Sequence, residues 1–146
     1  MKKKVDIVKI LAILITISGL LVLLGWIFDI TLFKSVIKDA ITMKIVTAQS
    51  FVLSGLSLYF LNKHEREKNK IACVVLPVLT VILFAIMLSY LISDITGQDS
   101  FIQNAFYLDD ENPSNTEFPD RPSIITTISF ILISIVNMIS FFHVAN

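Results

Sequence analysis

One cysteine, four prolines and four glycines are all this 146-residue chain holds of the residues that staple, break or loosen a fold. With Cys73 alone, an intrachain disulfide is excluded. Cys73 stands in an apolar run, where a thiol is usually a small buried hydrophobe and less often a reactive group. Two histidines, His64 and His143, lie far apart, and no Cys/His/Asp/Glu grouping has metal-ligand spacing. A glycine-rich phosphate loop, a G-x-S-x-G elbow and an H-E-x-x-H pair are all missing. Charge is scarce too. Charged residues make up 16% of the chain, and twelve bases against twelve acids leave no net charge. These absences remove the common signatures of an enzyme, a cofactor protein and a nucleic-acid binder, so a non-enzymatic role without cofactor or metal is expected.

What is abundant is apolar surface. Hydrophobic residues reach 55% and the mean hydropathy is +0.79. A soluble domain of this size could not hide that much. Charge-free runs at Ile10–Phe28, Ile45–Leu61, Ile71–Ser93 and Ser123–Phe142 each suit a helix crossing the hydrocarbon core, which takes about 20 residues. Only a helix satisfies its own backbone polar groups there. The first run follows Lys2, Lys3 and Lys4 as a secretory signal would, but it is long, and Trp26-Ile27-Phe28 stands where a cleavage site needs small residues. It reads as an uncleaved helix. The expectation is an all-α integral membrane four-helix bundle, one transmembrane domain over residues 1–146, multi-pass in the cell membrane.

Orientation follows from the basic residues. Eight fall on the side of the N-terminus and the second-to-third connection (Lys2, Lys3, Lys4, Lys9, Lys63, Arg66, Lys68, Lys70), against Lys34, Lys38, Lys44 and Arg121 opposite. Both termini are therefore expected in the cytoplasm. Nine of the twelve acids fall outside. Among them Asp94, Asp99, Asp109, Asp110 and Glu111 are candidate outer-face contacts. Either they keep a loop in solution or they attract a cation or basic ligand.

The connections differ. Asn62–Lys70, N-K-H-E-R-E-K-N-K, reads as a tight cytoplasmic turn whose bases reach anionic headgroups, with His64 solvated. In Asp29–Thr42, the spacing of Phe33, Val36, Ile37, Ala40 and Ile41 predicts a short amphipathic helix, either interfacial or folded as a lid. Phe101, Ile102, Ala105, Phe106 and Leu108 predict a second one, before the proline-rich stretch that ends at Pro122.

The halves resemble each other. F-D-I-T (Phe28–Thr31) matches S-D-I-T (Ser93–Thr96), and T-A-Q-S-F-V-L-S (Thr47–Ser54) matches T-T-I-S-F-I-L-I (Thr126–Ile133). Thr47, Ser50, Phe51 and Leu53 thus pair with Thr126, Ser129, Phe130 and Leu132, as two parallel helical-hairpin repeats. Thr47, Gln49, Ser54, Thr126, Ser134 and Asn137 are the candidate interhelical polar contacts, with Gly55 allowing close approach and helices two and four facing the centre. Their polar groups act as glue between helices or line a ligand or proton path. Pro77 sets a static kink or a hinge.

G-W-I-F-D-I-T-L-F-K-S-V (Gly25–Val36), T-M-K-I-V-T-A-Q-S-F-V-L-S-G-L-S-L (Thr42–Leu58), Y-L-I-S-D-I-T-G-Q-D (Tyr90–Asp99) and R-P-S-I-I-T-T-I-S-F (Arg121–Phe130) carry a resemblance. The chain resembles the multi-helix membrane-sensor region found N-terminal to PAS and histidine-kinase modules in prokaryotic signalling proteins. That family usually has Pro-Asn ahead of Thr-Ala in each half, where this chain has Ile45-Val46 and Ile124-Ile125. The resemblance implies a membrane-embedded sensory or input module. The sequence runs only to Asn146 without a PAS or kinase segment, so the expected output lies in another chain or a longer one. Expected partners are membrane lipid and a protein, either a histidine kinase or another membrane subunit, with homo-oligomerisation left open. The alternative is a structural or accessory subunit of a larger membrane complex.

Overall fold

Each charge-poor run folds as one α-helix, and no strand occurs among the described residues. The computed structural model describes residues 6–28, 30, 43–97 and 121–145, with 144 and 145 by backbone alone. Helix α1 spans Ile7–Ile27, α2 Ile45–Glu67, α3 Lys70–Thr96 and α4 Ile124–Ala145. All four are long and apolar enough to cross a membrane, as a multi-pass membrane protein requires. The amphipathic segments expected at 31–42 and 101–108 lie outside the described residues.

Local chemistry sets the ends. Asp6 caps α1 by accepting from the Lys9 backbone N–H at 3.2 Å, so the helix starts before the charge-free run does. Ser123 does the same for α4, accepting from the Thr126 N–H at 3.2 Å. The largest departure from the sequence reading is at the end of α2. Residues Asn62 to Glu67, expected in a turn, continue the helix, because Lys, Glu and Arg are good helix formers once the chain leaves the apolar core. The turn shrinks to Lys68 and Asn69. Lys68 takes a left-handed conformation, φ 46°, and its N–H bonds to His64 O at 2.9 Å. Asn69 then caps α3 through Ile71 N and Ala72 N. At the other end of α3, Gly97 closes the helix at φ 68°, where a side chain would be strained. The helix continues unbroken across Pro77.

Helix α2 is the hub. Among the described helices it packs against each of the other three, α4 packs on α2 and α3, and α1 packs on α2 alone. Between α2, α3 and α4 lies a core of Val46, Leu83, Met87, Tyr90 and Phe130, flanked by Phe51, Leu53, Ile86 and Ile131. Phe51 and Phe130 meet edge to face at 5.3 Å. The outward sides of α1, α3 and α4 carry exposed Leu, Ile and Val, as lipid-facing surfaces do.

The tightest contact is between α1 and α2. A Cβ on Gly19 would stand 2.7 Å from Ala48 O, and one on Gly55 would stand 2.8 Å from Thr16 N. Backbone meets backbone there. Ala12, Thr16 and Gly19 face Ala48, Val52 and Gly55 at alternating steps of three and four, which keeps small residues on one seam.

Candidate functional site: polar contacts at the two ends

Successive helices run in opposite directions, so two polar clusters form at opposite ends. One end holds Asp6, Asn62, His64, Arg66 and Phe141; the other holds Trp26, Met43, Asp94 and Arg121.

Of the six interhelical candidates, one bridges helices through its own side chain. Asn137 Nδ2 donates to Ser57 Oγ at 2.8 Å, and both residues are buried. Ser57, not among those candidates, donates in turn to Ser54 O at 2.9 Å. The other hydroxyls stay on their own helices. Ser54 donates to Phe51 O at 3.0 Å and Ser134 to Phe130 O at 2.8 Å, while Thr126 pairs with Ser123 at 2.8 Å in the α4 cap. A serine in a helix reaches the carbonyl one turn back more easily than a neighbouring helix. Thr47 and Gln49 are half-buried and make no hydrogen bond among the described residues.

At the end away from the termini, Arg121 is 6% exposed. Its Nη1 donates to Ser93 O at 3.2 Å and lies 3.5 Å from Asp94 Oδ1. This ties the start of α4 to the last turn of α3. Asp94, a candidate outer-face contact from the sequence, is largely buried beside Arg121. Only the opposite charge makes such burial tolerable. Asp94 Oδ2 is also buried and has no hydrogen-bond partner among the described residues. Asp99, Asp109, Asp110 and Glu111 lie outside the described residues. In the first hairpin, Trp26 Nε1 donates to Met43 O at 2.9 Å.

At the end that carries the termini, Asp6 holds α1 to α2. It accepts from Asn62 Nδ2 at 3.2 Å and pairs with Arg66 Nε at 3.3 Å, while Lys9 Nζ stands 5.9 Å above the Tyr59 ring. His64, read from sequence as solvated, is 9% exposed and sits 5.6 Å from the Phe141 ring of α4. Helical extension past Leu61 carries it into the assembly. Neither imidazole nitrogen has a hydrogen-bond partner among the described residues.

The arrangement supplies contacts that join helices. Among the described residues, no three His, Cys, Asp or Glu come together as a metal-holding group, and Cys73 is a half-buried free thiol. Comparison with known families, curated proteins and solved structures found no match.

Proposed function

We propose that this chain is a non-enzymatic, membrane-embedded sensory or input module that passes a stimulus on its outer face to a protein partner in the cytoplasm. The observation that carries the reading is the position of α2, which among the described helices is in contact with every other. A displacement at the Arg121–Asp94 end reaches the opposite end through one rigid element, which is what a relay between two membrane faces needs. The resemblance to sensor regions ahead of PAS and kinase modules points the same way. The surplus of bases around the start of α1 and from Lys63 to Lys70 supports a cytoplasmic position for both termini. The parallel repeat fits the contact of Phe51 with Phe130, because matched residues near a pseudo-two-fold axis meet each other.

The test is purification of the tagged chain from its native membranes in mild detergent, with mass spectrometry of what accompanies it. A co-purifying kinase or other signalling protein supports the proposal. A stoichiometric complex without a signalling member supports an accessory subunit instead. Recovery of the 16.4 kDa chain by itself overturns both.

A further inference from the structure

His64 lies on the side of α2 opposite the Asp6 contacts. Residues two positions away on either side, Asn62 and Arg66, reach Asp6 on α1, whereas the His64 ring faces Phe141 of α4. A neutral imidazole carries one donor and one acceptor, and here both nitrogens are sealed from solvent without a partner among the described residues. Buried polar groups rarely stay in that condition. Among the described residues, the His64 ring meets Phe141, tilted by 36°. One turn earlier on α4, Asn137 is fixed to Ser57. The apolar gain of docking Phe141 is therefore opposed by two unmade hydrogen bonds, and the balance applies only to the end of α4.

We propose that the final turn of α4 docks on His64 reversibly, pivoting at the Asn137–Ser57 bond. In the released state water reaches both ring nitrogens. In the docked state Phe141 covers them. The inference deepens the sensory reading by naming the part that moves, and it rests on that reading only for its purpose. Motion and partner capture are measured separately, so either can fail without the other.

The test uses the full chain in lipid nanodiscs, with Cys73→Ala removing the native thiol. Ser140→Cys, beside Phe141, reports the approach of a water-soluble maleimide. His64→Phe supplies a ring that needs no hydrogen bond, and labelling of Ser140→Cys is expected to slow about tenfold. His64→Leu is expected to act in the same direction and stands in if the phenylalanine is too large. Labelling of Thr126→Cys, at the opposite end of α4, stays unchanged. Equal or faster labelling of Ser140→Cys in both His64 variants overturns the proposal. So does equal slowing at Thr126→Cys, because the whole molecule would then have stiffened.

Discussion

The two hairpins follow one plan and are held together differently. In the first, α1 and α2 meet along glycine and alanine, with backbones nearly touching, and a partly exposed cluster around Asp6 closes the end near the termini. In the second, α3 and α4 meet through Leu83, Met87, Tyr90 and Phe130, and a buried arginine closes the opposite end. Even the ties at that end reverse roles. Trp26 of α1 reaches forward to Met43 O before α2, whereas Arg121 before α4 reaches back to Ser93 O in α3. Similar sequence segments therefore do not imply similar energetics. Ser50 is buried while its match Ser129 is exposed, and Leu53 packs against the core while Leu132 faces outward. The first hairpin depends on shape and the second on a desolvated charge pair, so they should fail under different substitutions.

Removing the charge is the harshest way to break the comparison. Arg121→Met strands Asp94 in a buried site and is expected to lower stability by about 3–5 kcal/mol in reversible unfolding from detergent micelles. Adding Asp94→Leu should recover most of that loss; a double variant no better than the single would mean the pair is not coupled. Next is shape. Gly55→Ala drives a Cβ against Thr16 N and Ala12 O, and an overpacking cost of about 1–3 kcal/mol is expected. Its signature is loss of α1–α2 cross-linking with the α3–α4 contact retained. The bond between hairpins is weaker. A double-mutant cycle with Ser57→Ala and Asn137→Leu should give a coupling of about 0.6 kcal/mol, and a value near zero would remove Asn137 as a pivot. Smallest is the partly exposed Arg66–Asp6 pair. Arg66→Gln is expected to cost below about 1 kcal/mol, and salt should abolish the difference.

All four helices were legible in the sequence because freedom from charge over about 20 residues is demanding and few other structures satisfy it. The ends were less legible, for a physical reason. Hydropathy stops counting where charge begins, but a helix does not stop there, and six polar residues of α2 continue past Leu61. His64 was misplaced by that error. Asn137 was recognisable because an amide amid aliphatic residues must find a partner, but its partner was not, since serines usually bond back along their own helix. The pairing of Arg121 with Asp94 was not legible because 26 residues separate them, and only the fold shows that they meet. A signal did exist: each adjoins an apolar run, where a charge has to pair or escape to water.

That α1 packs on α2 and on no other described helix bears on how the molecule is made. The contacts described for α1 have all been synthesised by Arg66, so the first hairpin is able to close in the bilayer before α3 has left the ribosome. The later helices then meet an assembled wall rather than a loose strand. A fragment ending at Lys68 is accordingly expected to retain the α1–α2 cross-link of the whole chain, and its loss would mean that the wall forms only when α3 and α4 arrive to brace it.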